Sequence, residues 1–280
     1  RRIARPAPTP GACRKGGRQM DAAWRRELVD LLASLRRSRR QQSGLDAALV
    51  PPDTATAYEI AGEVARALGW PVAGWKIAAT KEEMQQALRT DAPIYGRVFM
   101  GRVMSSPAEV VFADQCSPIP EAEYIVRLGT DLPPRDAPYA EAEVADAVAS
   151  IHPGLELAEC RFIHDDAFPP LPAILADGAG GGTLVMGPAI PNWRDGDISG
   201  QEVRLFCDGE LRRRGWAGEA LDHPLRPLTW LANELSRTGI GLMAGQVIST
   251  GTTTGMLRPK AGQTYDADFG PFGRVTARYT

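Results

Sequence analysis

An α+β fold is predicted for this chain: an N-terminal helical layer followed by a mixed, mostly β body. Helical periodicity of apolar residues dominates the first 70 residues. Beyond it, short candidate strands follow one another between Gly/Pro turns, with few helices. Helices first and strands afterwards favour this class over a doubly wound sheet, in which the two alternate.

The elements follow in order. Residues 1–19 are basic, Pro/Gly-rich and free of acids, with Ile3 as the one large apolar residue, so they read as a disordered tail or a start-site artefact ahead of Met20. Residues 21–40 form an amphipathic helix through Trp24, Leu28, Leu32 and Leu35, and its arginine-rich end, 36–40, reads as a solvated helix terminus. Pro51, Pro52 and Asp53 break the chain before a second helix with Tyr58, Ala61, Val64, Ala65 and Leu68 on one face. A short strand covers 74–78, and Thr80 with Glu83 has the spacing of a capping box. Candidate strands lie at 121–128, 154–163, 183–187, 202–207, 245–250 and 273–279, with Asp208-Gly209 as a hairpin turn. Helices at 139–150 and 227–238, the second closed by Gly239, interrupt them. The expected organisation is a tail at 1–19, a helical region at 20–95 and a β domain at 96–280.

Charge and cysteine usage narrow the function classes. Residues 1–40 carry 12 Lys/Arg against 3 Asp/Glu, and the remaining 240 carry 20 against 31. An acidic body argues against a broad nucleic-acid face. Cys13, Cys116, Cys160 and Cys207 are widely spaced, without a C-x-x-C pair, and read as reduced thiols of a cytoplasmic protein. No apolar run reaches the length of a membrane span, so neither membrane nor nucleic acid is an expected partner.

The local feature with most chemical content is Pro120-Glu121-Ala122-Glu123-Tyr124. On a strand, Ala122, Tyr124, Val126 and Leu128 share one face, and Glu121, Glu123, Ile125 and Arg127 the other. Two carboxylates two residues apart sit roughly 6.5–7 Å apart on that face, which suits ligands converging on a hard cation. It equally suits a solvated polar face. In Leu155-Glu156-Leu157-Ala158-Glu159-Cys160-Arg161, Glu156 and Glu159 fall on opposite faces, so one can enter a site while the other pairs with Arg161 or water. Lys76, between Trp75 and Ile77, is either a partly buried base or carboxylate anchor, or an edge-strand lysine snorkelling to water. The glycine-rich stretch from Asp177 to Thr183 precedes a strand and lacks Gly-Lys-Ser/Thr, so it is neither a phosphate loop nor a dinucleotide fingerprint. The stretch from Thr250 to Gly255 offers N–H and hydroxyl donors able to grip a carboxylate, or is a tight β-turn. His152, His164 and His223 and Cys116 carry no marks of ligands or nucleophiles.

Seven segments occur in a specific order: AYEIAGEVARALGWPVAGWKIAAT (57–80), PIYGRVF (93–99), PEAEYIVRLGTDLP (120–133), HPGLELAECRF (152–162), ADGAGGGTLVMG (176–187), PLTWLANELSRTGIGLMAGQVISTGTTTG (227–255) and PKAGQTYDADFGPFGRV (259–275). Together they resemble the 2-keto-4-pentenoate hydratase and 4-oxalocrotonate decarboxylase branch of the fumarylacetoacetate hydrolase superfamily, over residues 45–280. The resemblance implies a mixed β-roll of the fumarylacetoacetate hydrolase C-terminal type with helices packed outside it, a bound Mg2+ or Mn2+, and a homo-oligomer. It puts the E-x-E ligands on Glu121 and Glu123, the third ligand on Glu156, and catalysis on Lys76 and Glu156. Substrate contacts fall on Lys76, Asp177 and the T-G-T turn of Thr250, Gly251 and Thr252. Three departures stand out: Ile94 replaces a common Asp, Glu159-Cys160-Arg161 replaces D-S-R, and the stretch after Asp177 has no Ser.

The implied activity is addition of water to a 2-hydroxydienoate or 2-oxoalkenoate, a metal-dependent lyase step in the breakdown of aromatic compounds. A metal-dependent 2-oxo acid decarboxylase is the alternative. Hydrolysis of a carbon–carbon bond ranks lower, because hydrolytic members typically use a His from the N-terminal part and none precedes His152 here. An inert small-acid binder is the rival outside enzymes.

Overall fold

The computed structural model describes residues 15–219 and 222–280. The tail expected at 1–19 lies, up to residue 14, outside the described residues. Helix α1, Lys15–Ser38, buries Leu28, Val29, Leu32 and Ala33. It packs on α2, Thr54–Leu68, whose N-terminus is capped by Asp53 accepting from the Thr56 N–H at 2.7 Å. Gly69, at φ 67°, ends α2 in the left-handed region. The buried stripe of α2 is Ala57, Ile60, Ala61, Val64 and Leu68. Tyr58 is turned off that stripe and stacks on Tyr95 with ring centroids 4.1 Å apart.

Two mixed sheets make the body. The larger runs β2 (Ile94–Phe99), β1 (Val72–Ala78), β10 (Val247–Thr252), β5 (Ile119–Leu128), β6 (Val148–Ala158), β7 (Thr183–Met186) and β3 (Val103–Ser105). The smaller runs β4 (Ala108–Val110), β12 (Arg274–Tyr279), β11 (Thr264–Asp268), β8 (Glu202–Cys207) and β9 (Glu210–Trp216). Strand β1 is parallel to β10 and β3 to β7, while β5 and β6 form a long antiparallel pair. The main core lies between the sheets. There Ala122, Tyr124, Val126 and Leu128 from β5 share one cluster with Val203, Leu205, Tyr265, Ala267 and Val275 from the smaller sheet. The alternation read along 121–128 thus has a physical cause: one face of β5 is buried against a second sheet. The other face of the larger sheet looks toward α1, α2 and α5 (Leu171–Ala176), which form a second cluster with Ile94, Phe99 and Phe162.

The α+β architecture is as expected; several boundaries are not. Strands β1 and β2 belong to the larger sheet, so a helical region ending at residue 95 cuts through β2. Strand β6 starts at Val148 and stops at Ala158, replacing the strand expected at 154–163. The helix expected at 139–150 shrinks to α4, Glu141–Ala147, because pairing with β5 claims the residues after it. Thr80 caps no helix: α3, Glu82–Leu88, has Lys81 at its N-cap, without a side-chain cap bond, and Thr80 is buried. Arg36, expected in solvent, is buried as well. The Asp208-Gly209 turn joins β8 to β9 with both residues at positive φ, 50° and 82°. Among the described residues Cys116, Cys160 and Cys207 are buried and unpaired, and no helix is long and apolar enough to cross a membrane.

Candidate metal centre and its cavity

The face of β5 turned away from the main core carries Glu121 and Glu123. In the register with β6, Glu121 stands directly opposite Glu156, and Glu123 opposite Gly154. Like charges directly opposite on adjacent strands destabilise a sheet unless something neutralises them. Each of the three carboxylates offers an oxygen within 4.8 Å of the others, and all three are buried. From two strands away, Lys76 on β1 reaches the same place: its Nζ lies 3.5 Å from Glu156 Oε1. The strand between them, β10, pairs Ser249 with Lys76 and Thr252 with Glu123.

An irregularity in β10 between Ser249 and Thr252 turns Gly251 so that its N–H donates to Glu123 Oε2 at 2.9 Å. The Ser249 hydroxyl donates to the same oxygen at 2.5 Å. One oxygen of Glu123 is therefore held and the other is left to converge with its neighbours. Gly251 is required here: its φ is 110°, and a Cβ would stand 2.8 Å from Thr80 Cγ2.

Burial, then the Glu156 charge, push the Glu121 carboxyl up to about 7, against the pull of Lys76, Thr252 and Lys81. Burial, then Glu156 and Glu121, hold Glu123 well above the usual carboxylate range. Glu156 is raised by burial and held back by Lys76. For Lys76 burial works against the charged form, but the three carboxylates outweigh it and its pKa is raised. Neither oxygen of Glu156 has a hydrogen-bond partner. With three carboxylates ionised and Lys76 charged, the buried group carries −2. Orphaned carboxylate oxygens, an all-oxygen donor set and a charge of −2 fit a hard divalent cation.

A cavity of about 230 Å³ opens beside the group. Lys76, Glu121, Glu123 and Thr252 line it together with Thr80, Lys81, Met84, Leu88, Ile119 and Met256. Of the residues singled out from sequence, the structure thus brings together Lys76, Glu121, Glu123, Glu156, Gly251 and Thr252. It does not bring Thr250 or Asp177 to the cavity. Thr250 is fully buried and donates to the Tyr124 carbonyl at 2.9 Å. Asp177 accepts from the Arg161 Nε at 2.9 Å and from the Arg161 N–H at 3.0 Å, with Arg36 Nε 3.6 Å away. A carboxylate matched in this way to two buried arginines makes a structural ion pair, away from the lining of the cavity. Glu159, just past the end of β6, pairs with Arg102 at 3.3 Å and Arg161 at 3.7 Å. Lys81, which directly follows the G-W-K-I-A-A-T segment and carried no expectation from sequence, also lines the cavity, and its charge acts on Glu121.

The family described as fumarylacetoacetate (FAA) hydrolase C-terminal matches residues 76–279, which contain the whole candidate site. A 2-keto-4-pentenoate hydratase of Burkholderia vietnamiensis is 31% identical over 233 residues, covering 81% of this chain and 87% of that protein. A 2-oxo-hept-4-ene-1,7-dioate hydratase of Escherichia coli is 27% identical over 239 residues, covering 80% and 85%. The solved 4-oxalocrotonate decarboxylase of Pseudomonas putida G7, complexed with magnesium and adipate, superposes with a TM-score of 0.83 at 21% identity, covering 94% of this chain and 98% of that one.

Proposed function

The chain belongs to the fumarylacetoacetate hydrolase C-terminal family, and from that premise we propose that it is a divalent-metal-dependent hydro-lyase that adds water to a 2-hydroxydienoate or its 2-oxoalkenoate tautomer. The observation that carries this reading is the buried group of three converging carboxylates, Glu121, Glu123 and Glu156, with Lys76 against it, beside a small cavity. The relatives named as hydratases, which are lyases, support the reaction class.

Glu121, Glu123 and Glu156 would hold the ion, Mg2+ or Mn2+ in this reading. When bound, it supplies Lewis-acid polarisation of the 2-oxo group. The residues of the chain do the rest. Ser249 and the Gly251 N–H fix the orientation of Glu123. Lys76, kept charged by its three acidic neighbours, is a hydrogen-bond donor at the floor of the cavity. Hydration requires one proton delivered to carbon and one taken from water. In this reading the Lys76 Nζ and Glu156 pair, 3.5 Å apart, would hold such a proton and pass it on. Thr252 and Lys81, which line the cavity, would contact the substrate carboxylate. The same reading includes a homo-oligomer in the cytoplasm, consistent with the exposed apolar side chains of Met100 and Met243.

The test is turnover of 2-hydroxypenta-2,4-dienoate by the purified protein with Mg2+ or Mn2+. The expected result is loss of the dienol absorbance with a hydroxylated 2-oxo acid as product and no carbon dioxide. Carbon dioxide release from 4-oxalocrotonate, without hydration of the dienoate, would replace this reading with the decarboxylase. No turnover of either would leave a binding protein.

A further inference from the structure

We propose that the cavity selects a 2-oxo acid with a single carboxylate and an uncharged, apolar tail, and that Met84, Leu88 and Met256 exclude the corresponding dicarboxylate. The inference rests on the reading of the site as a 2-oxo acid site and names which such acids it takes.

Charge in the cavity is gathered at one end. Lys76, Glu121 and Glu123 lie together, and the Lys81 charge acts on Glu121, so both lysines serve the carboxylate end. The rest of the lining is apolar: Met84, Leu88, Ile119 and Met256, with Ala78, Ala79 and Ala158 between them. Met84 and Leu88 are four residues apart on α3 and therefore share one face of that helix. Helix α3 has no fully buried residue, and these two half-buried side chains are its large apolar groups. Met256 follows β10, lines the same cavity and is 50% exposed, so an apolar tail beside it would cover surface that is now in water.

A 2-oxo acid whose carboxylate and keto oxygens lie at the triad must direct its other end into this apolar part. An alkyl or hydrogen terminus buries there at no electrostatic penalty. A second carboxylate would lose water against these side chains, and the lysines of the lining, Lys76 and Lys81, both act on the acidic group. The volume of about 230 Å³ fits a short chain of this kind.

The experiment compares two pairs of ligands in the full chain with Mg2+. Turnover is measured for 2-hydroxypenta-2,4-dienoate, its 5-alkyl homologues and the seven-carbon 2-hydroxydienedioate. Binding is measured by calorimetry for the saturated 2-oxohexanoate and 2-oxoadipate, which need no chemistry. The alkyl-tailed members are expected to lead the dicarboxylates by at least about 100-fold in kcat/KM and to bind more tightly. Leu88→Arg, on α3, and Met256→Arg, on a separate segment, each place a cation at the apolar end. Each should narrow or invert the preference. Equal or better binding and turnover of the dicarboxylates by the unaltered chain would overturn the specificity while leaving the 2-oxo acid reading in place. Binding of neither 2-oxo acid would remove that reading and the specificity with it.

Discussion

Asp177 and Arg161 form a two-point ion pair in which the backbone N–H and the Nε of Arg161 both donate to the same buried carboxylate. Arg36 of α1 also donates to the Asp177 carbonyl, so the pair ties the helical layer to the glycine-rich loop after α5. That loop borders the site, since a Cβ on Gly180 would stand 3.7 Å from Lys76 Nζ.

Asp177→Asn should therefore act on stability first. It leaves two buried arginines short of an anion, a change worth about 3–5 kcal/mol in comparable buried pairs. Urea unfolding should show that loss, with KM of the surviving enzyme close to normal. Unchanged stability with a large rise in KM would return Asp177 to the substrate.

The pH dependence follows from the raised carboxyls. In the metal-free protein a carboxyl whose folded pKa lies above its unfolded value favours the folded state in its protonated form. For Glu121 that contribution is complete below about 4.5 and is lost as pH rises through about 7. Metal binding needs the ionised form, so it strengthens over the same window. Urea midpoints with a chelator should fall from pH 5 to pH 8, and midpoints with Mn2+ should separate from them increasingly. Parallel curves would count against a cation at the triad.

Lys76→Met should lower kcat by about 10²–10⁴-fold, the range typical of a proton-transfer group. Its effect on the ion should run the other way. Removing a positive charge 3.5 Å from Glu156 makes the triad more attractive to a cation, so Mn2+ affinity, followed by electron paramagnetic resonance, should hold or improve. Near-normal kcat and KM would reduce Lys76 to a counter-charge.

Glu123→Gln should weaken the ion site itself. The amide keeps an oxygen but loses the charge, and an amide nitrogen placed toward Ser249 and Gly251 would meet two donors. Activity should fall at limiting metal and recover in part with excess Mn2+. Loss of activity that no metal concentration restores would argue for a direct role in the chemistry.

The parts of this structure that were legible in the sequence are those where one strand face is buried. The alternation of Ala122, Tyr124, Val126 and Leu128 against Glu121 and Glu123 could be read because the second sheet enforces it. Glu156 joins the triad while Glu159, one residue past the end of β6, pairs with Arg102 and Arg161, a division the sequence left open as to which residue did which. What stayed hidden depends on distant partners. Val148 to Ser150 fell within the expected helix at 139–150, and only pairing with Leu128 and Arg127 makes them strand. Arg36 looked like a solvated helix end because its partner, Asp177, is 141 positions away. Met84, Leu88 and Met256 form one wall only because α3 and the segment after β10 meet in space.

The place of β10 between β1 and β5 also sets a timetable for the newly made chain. Ser249, which holds Glu123, follows it by 126 positions. At a synthesis rate of about 5–20 residues per second, the two are separated by about 6–25 s on the ribosome. During that interval β5 and β6 can pair, bringing Glu121 opposite Glu156, but β1 has no neighbour through which to bring up Lys76. The site is therefore finished only after Thr252 has emerged, and a nascent chain paused before that point holds paired acids without their lysine.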